Sequence, residues 1–190
     1  VVGVVAPGAD RVMAAFSPHA TVVQRQPLGT GHAAQAALGA LKGHRGPVLV
    51  VFGDAPLVRA ETMRKLVDTC RRQKAAVGVL GFRASDPTPY GRLIERDGIL
   101  ESIVESKDTV GAERDIDYCN SGVMCLDGAL IAELLSAIGN DNVKREYYLV
   151  DAVAIARAKG HKAIAVEGEE AEFQGVNSRS ELAIAEQEMQ

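Results

Sequence analysis

No apolar stretch in these 190 residues approaches the roughly 20 needed to cross a bilayer, so the chain carries no candidate membrane span. An excess of basic charge is missing as well. Lys and Arg number 21 against 25 Asp and Glu, a net of −4, which leaves no electrostatic footprint for nucleic acid or an anionic membrane. Cysteine is scarce: Cys70, Cys119 and Cys125 are odd in number and lack metal-ligand spacing, which favours reduced thiols in a cytoplasmic protein. The first residues have no basic region followed by an apolar core, so no signal peptide is read there. Three catalytic signatures are also absent. There is no Gly-Lys-Ser/Thr of a P-loop, no Gly-x-Ser-x-Gly elbow, and no Gly-x-Gly-x-x-Gly after the first strand-like run. P-loop kinases, triad hydrolases and dinucleotide-binding dehydrogenases lose support accordingly.

What is present is alternation. The apolar runs VVGVV (1–5), TVV (21–23), VLVVF (48–52), AAVGVLGF (75–82), CNSGVMCLD (119–127) and HKAIAVE (161–167) read as strands. The fourth is continuous rather than alternating, as in a sheet covered on both faces. Between the runs lie helical spacings: Ala34, Ala37, Leu38 and Leu41; Met63, Leu66, Val67 and Cys70; Ile131, Leu134, Leu135 and Ile138; Leu149, Val150, Val153 and Ala156. A closing helix runs through SRSELAIAEQEMQ, capped by Ser178 or Ser180. Asp97-Gly98 joins two extended segments as a hairpin. Strands alternating with helices predict an α/β fold with a mostly parallel sheet. No repeat, linker or low-complexity segment interrupts it, and residues 1–190 are read as one domain.

Two stretches suggest a site. Gly29-Thr30-Gly31 stands directly before a helix, where a backbone can approach a ligand and offer unpaired N–H groups. The plainer alternative is helix entry, with Thr30 as N-cap and His32 a surface histidine. VFGDAPL (51–57) ends a strand in a carboxylate. Ligands of open α/β sheets gather at strand carboxyl ends, and Asp54 there suits Mg²⁺, which takes one or two protein oxygens plus waters and phosphates. The alternative is a strand-end turn.

In this order, QPLGTGHA, VFGDAPL, PYGRLIE, IVESKDT, CNSGV, EYYLVDAV and GVNSRSEL make the chain resemble bacterial N-acetylglucosamine-1-phosphate uridylyltransferases, from about residue 20 to the end. The likeness is to the N-terminal domain of a bifunctional enzyme. It implies a three-layer Rossmann-like nucleotide-diphospho-sugar transferase fold, a mixed, mostly parallel sheet with helices on both faces. It also implies uridylyl transfer from UTP to N-acetylglucosamine 1-phosphate in the cytoplasm, supplying cell-envelope precursors. By the same resemblance, Gln24, Gly29 and Thr30 hold uracil, and Phe52, Gly53 and Asp54 lie under ribose and phosphates. Asp54 and Asn177 ligate Mg²⁺. Gly91, Glu105 and Asn120 grip the sugar, with Glu146 and Tyr148 lining its pocket. Taken alone, Glu105 reads as a solvated strand residue, Asn120 as a turn residue, Tyr147 and Tyr148 as core aromatics, and Asn177 as a capping turn.

The match departs from the family pattern at three places. Relatives open with a strand and a Leu-Ala-Ala-Gly-x-Gly-Thr-Arg-Met loop, followed later by a lysine, whereas VVGVVAPGAD matches their second strand. Further residues ahead of Val1 are one expectation, and a sheet short of a central strand, with unpaired edges, is another. A left-handed β-helix acetyltransferase domain with trimer contacts would follow the closing helix in relatives. Val150 stands where relatives commonly have Thr. Another sugar-1-phosphate nucleotidyltransferase, and a non-catalytic sugar-nucleotide-binding or assembly fragment, therefore stay open.

Overall fold

The structure, a computed structural model, describes residues 1–189, so the last residue of the stretch read as a closing helix lies outside the described part. Eight strands and six helices follow one another as β1 (Val2–Val5), α1 (Asp10–Phe16), β2 (Ala20–Val23), α2 (Thr30–Ala36), β3 (Pro47–Val50), α3 (Ala60–Gln73), β4 (Val77–Arg83), β5 (Arg92–Arg96), β6 (Ile99–Val104), β7 (Tyr118–Asp127), α4 (Ile131–Ser136), α5 (Asp151–Ala158), β8 (Ala163–Glu167) and α6 (Arg179–Glu188). Short 3-10 turns lie at Ser106–Asp108, Gly111–Asp115 and Glu170–Phe173.

Six strands form one mixed sheet in the order β6-β5-β7-β4-β8, with β3 also on β7. β3, β4, β5 and β8 share one direction, the sense that strand–helix alternation implies, while β6 and β7 run against them. Because β7 lies in the middle, most hydrogen-bonded neighbours are antiparallel, a pattern that alternation alone does not anticipate. The ten-residue β7 has β4 along one edge; β5 meets its start at Cys119 and β3 its end from Met124 to Asp127 on the other. Its register with β4 slips between Val79 and Gly81, opposite residues 121–123, leaving a bulge between the ends of β5 and β3.

Helices cover both faces. One core packs Ala34 of α2, Ile131, Leu134 and Leu135 of α4, and Ala152, Val153 and Ala156 of α5 against Val77, Val79, Met124 and Leu126. The other packs Leu66 and Cys70 of α3 with Phe173 against Leu80, Phe82, Val123, Cys125 and Ile164. The hairpin of β5 and β6 turns at Asp97-Gly98 as expected, and Ser178 caps α6 by accepting the Glu181 N–H at 3.2 Å.

Three features of the fold are not evident from the sequence pattern. The run after residue 47 is only half buried, and Val51 is 42% exposed, because among the described residues β3 pairs on one edge alone. β1 and β2 pair only with each other, in parallel, and do not join the large sheet. α2 stops at Ala36 and continues as i−3 turns (Leu38 N–H to Gln35, Ala40 to Ala37), since Gly39 and Gly43 weaken the helix there. Leu38 and Leu41 still reach the core, so the apolar face outlasts the helix.

Candidate functional site

The Gly29–Gly31 loop is laced to residues 146–149, more than a hundred positions away. Gly31 donates its N–H to the Tyr147 carbonyl at 2.7 Å, and Tyr147 donates to the Leu28 carbonyl at 2.8 Å. The Leu149 N–H is donated to Thr30 Oγ1 at 3.0 Å. A Cβ on Gly29 would fall 2.6 Å from the Tyr147 carbonyl oxygen, so no larger residue fits that approach. Gly29, not Thr30, is the N-cap of α2, and the Thr30 hydroxyl braces the neighbouring loop instead. Gln24, just past β2, reaches back to the same loop: its Nε2 donates to the Gly29 carbonyl at 3.1 Å and lies 3.0 Å from His32 Nδ1. His32 is half buried and tilted against Tyr147 (ring centroids 6.1 Å apart), rather than a free surface histidine.

Phe52 and Gly53 follow β3, and the Phe52 ring lies over the β7 bulge. Gly122 adopts φ +85°, and a Cβ on it would meet Phe52 Cε2 at 2.6 Å. The bulge thus clears a seat for Phe52. Asp54 is exposed, and among the described residues its carboxylate has no ion-pair or hydrogen-bond partner. Its carbonyl accepts the Val176 N–H at 2.7 Å, which places Asn177 beside it. The Asn177 N–H goes to Glu181 Oε2 at 2.7 Å; its side-chain amide makes no hydrogen bond among the described residues, so it is not the capping group of α6. Two neighbouring hard-oxygen donors, one carboxylate and one amide, fit a Mg²⁺ that keeps waters and phosphate oxygens as its other ligands. No group of three or more His, Cys, Asp or Glu suited to a metal occurs among the described residues.

A cavity of about 360 Å³ opens between β6 and the segment before α5, with Glu105, Asp108, Asn142, Tyr148, Val150 and Asp151 among its lining residues. Gly91 abuts its wall: the Gly91 carbonyl accepts the Asn120 N–H at 2.8 Å, and a Gly91 Cβ would touch Ile103 and the Val104 carbonyl at 3.4 Å. Asn120 Oδ1 accepts the Gly122 N–H at 2.9 Å, so its NH₂ remains to donate elsewhere. Glu105 is not a solvated strand residue. Burial pushes its carboxyl above the usual range, Lys144 opposes this, and Asp108 and Asp151 add to it. Burial raises Asp151 too, with Asp108 adding to the effect, and Tyr148 is raised by burial and by the surrounding carboxylates. Glu146 is half buried beside Gly29, its backbone bracketed by the Asn142 amide.

Motifs scattered along the chain therefore meet around one segment, Glu146–Val150. Gln24, Gly29 and Thr30 lie in the glycine loop that Tyr147 and Leu149 brace, while Tyr148 and Val150 line the cavity with Glu105; Gly91 abuts that cavity's wall, and Asn120 is bonded to Gly91 without lining it. Asp54 and Asn177 form a third group at the ends of β3 and of the chain segment entering α6. His32, read from the sequence as a surface histidine, is instead half buried against Gln24 and Tyr147, and Asn142 and Glu172, which belong to no motif, carry contacts that the sequence pattern does not signal.

A three-layer α/β sheet with a glycine loop entering a helix, and a hard-oxygen pair at the end of another strand, fits the nucleotide-handling transferase class. The family model of the MobA-like NTP transferase domain matches residues 1–119, and the chain belongs to this family. It is similar to proteins named bifunctional protein GlmU: 50% identical to that of Rhodospirillum rubrum over 184 residues, covering 96% of this chain and 41% of the relative. The protein of that name from a Ruegeria species is 49% identical over 174 residues, 91% of this chain and 38% of the relative. A Bradyrhizobium one is 50% identical over 171 residues, 90% and 38%. The chain thus spans about two-fifths of the length of the curated relatives it matches. No helix among the described residues is long and apolar enough to cross a membrane.

Proposed function

We propose that this chain is a sugar-1-phosphate nucleotidyltransferase domain that transfers a uridylyl group from UTP to N-acetylglucosamine 1-phosphate. The supporting observation is that one segment, Glu146–Val150, braces the glycine loop through Tyr147 and Leu149 and lines the neighbouring cavity through Tyr148 and Val150. Base and sugar would then be held in adjacent pockets with their phosphates meeting between them. The matching family, a MobA-like NTP transferase domain, supports transfer from a nucleoside triphosphate.

In the reaction, a phosphate oxygen of the sugar phosphate bonds to the α-phosphorus of UTP while the bond from that phosphorus to the bridging oxygen breaks and pyrophosphate leaves. A phosphate monoester is already ionised near neutral pH, so no general base is needed. Gln24, Gly29 and Thr30 orient the base, and Phe52 and Gly53 flank the ribose. Gly91, Glu105 and Asn120, with Glu146 and Tyr148 beside them, fix the sugar hydroxyls and acetamido group. Asp54 and Asn177 would hold Mg²⁺, which when bound supplies compensation of charge on the phosphates. Positioning of this kind converts an encounter of two anions into a reaction within one complex.

Val150 favours a second reading on the sugar alone. It is 8% exposed and presents methyl groups to the cavity, so a sugar 1-phosphate other than N-acetylglucosamine 1-phosphate could be preferred. The test is pyrophosphate release from UTP and Mg²⁺ with N-acetylglucosamine 1-phosphate or glucose 1-phosphate. Release with the former, lowered about 100-fold or more by Asp54→Ala, supports the proposal. Release with glucose 1-phosphate alone transfers it to the second reading. Uridine nucleotide binding without any release leaves a binding module and refutes catalysis.

A further inference from the structure

His32 has no role in the reading above, yet its ring contacts the side chain assigned to the base. Gln24 Nε2 lies 3.1 Å from the Gly29 carbonyl and 3.0 Å from His32 Nδ1. A carbonyl oxygen only accepts, so the branch of the amide facing Gly29 must be NH₂. Its second hydrogen then points at Nδ1, which must accept, placing the ring proton on Nε2. With both amide hydrogens committed, the other branch is settled. Oε1, which accepts no hydrogen bond among the described residues, is the atom Gln24 offers outward. Flipping the amide would set its oxygen against the Gly29 carbonyl, so that bond is lost even when the ring moves its proton to Nδ1 to meet the oxygen.

We infer that His32 is a positioning residue that sets base selectivity by locking the Gln24 amide with its carbonyl oxygen outward; this rests on Gln24 reading the base. A carbonyl matches uracil, whose N3 carries a hydrogen, and mismatches cytosine, whose N3 is a lone pair. Held this way, Gln24 favours uridine over cytidine nucleotides. Released from His32, it keeps only the Gly29 bond, and rotation lets NH₂ face cytosine. The ring is kept in place by the first turn of α2 and by Tyr147, whose backbone is itself tied to the glycine loop.

The experiment titrates UTP and CTP, each with Mg²⁺, into the wild-type chain and the variants Gln24→Ala, His32→Ala and His32→Asn, with circular dichroism confirming the fold of each. Asparagine places its Oδ1 near the position of Nδ1, so it restores the acceptor. Expected are a preference for UTP in the wild type and in His32→Asn, and its loss by about tenfold in His32→Ala, the worth of one hydrogen bond to a base edge. Long-range ¹⁵N correlation spectra of the wild type should show His32 protonated on Nε2, a readout that needs no nucleotide. Preference for UTP undiminished in His32→Ala, or a proton on Nδ1, overturns the inference. If the wild type shows no preference, or Gln24→Ala keeps it, the base-site reading fails and takes the inference with it. Loss in Gln24→Ala without loss in His32→Ala removes the inference alone.

Discussion

Replacing Glu172 with alanine should destabilise the protein by about 3 kcal/mol, although the residue lies outside every recognisable motif. Its carboxylate is 3% exposed and accepts from the Arg59 N–H at 3.1 Å and the Thr62 hydroxyl at 2.9 Å. Arg59 is the N-cap of the 14-residue α3 and supplies no side-chain cap, so Glu172 performs that service from 113 positions away. Hydrogen bonds to a charged group contribute about 1.5–3 kcal/mol each, and alanine would remove two while opening a void that water fills only in part. At about 2–4 °C per kcal/mol for a chain of this size, Tm should fall by about 6–12 °C. Thermal unfolding followed by circular dichroism measures this, with two controls. Glu169→Ala, which breaks only the exposed ion pair to Arg59 at 3.2 Å, should change Tm by about 1 °C or less. Thr62→Val should be markedly non-additive with Glu172→Ala, because both remove the same bond. A Tm loss under about 2 °C for Glu172→Ala, or full additivity with Thr62→Val, would refute the capping argument. The effect should also reach the site. Glu172 anchors the turn that leads to Val176, whose N–H holds the Asp54 carbonyl, so Mg²⁺-dependent UTP binding should weaken in Glu172→Ala.

Two more substitutions probe the pockets. Gly122→Ala should cost about 1–3 kcal/mol, since φ +85° is strained for any side chain and the new methyl meets Phe52 at 2.6 Å; urea midpoints and UTP titration should both fall, and an unchanged affinity would separate Phe52 from the ribose. Glu105→Gln should stabilise the protein near neutral pH while weakening sugar phosphate binding. Burial holds the folded carboxyl above its unfolded value, so the folded state binds the proton more tightly. Stability is then fullest below the ordinary carboxylate range and falls as pH rises through about 4.3 towards the raised folded value. Tm measured against pH should show the variant ahead near neutrality and level with wild type at about pH 3, with a residual decline from Asp151, which burial raises in the same direction. A variant less stable than wild type near neutral pH would show that the charged Glu105 is stabilised by partners rather than penalised.

By itself the sequence determined the elements and the family. The apolar faces of α3, α4 and α5, the hairpin at Asp97-Gly98 and the Ser178 cap all follow from backbone periodicity and turn chemistry, which act over a few residues. The motif order was sufficient to indicate a nucleotidyltransferase. Only the tertiary structure decided how the parts are joined. That β7 runs against its neighbours, that its bulge seats Phe52, and that β3 stays half buried depend on which strands meet. So do the bonds from Thr30 to Leu149, from Glu172 to Arg59, and from His32 to Gln24 across the glycine loop. Such bonds leave no periodic trace in a chain, because a side-chain hydrogen bond requires only that two groups end within about 3 Å, and the path that brings them there belongs to the whole fold.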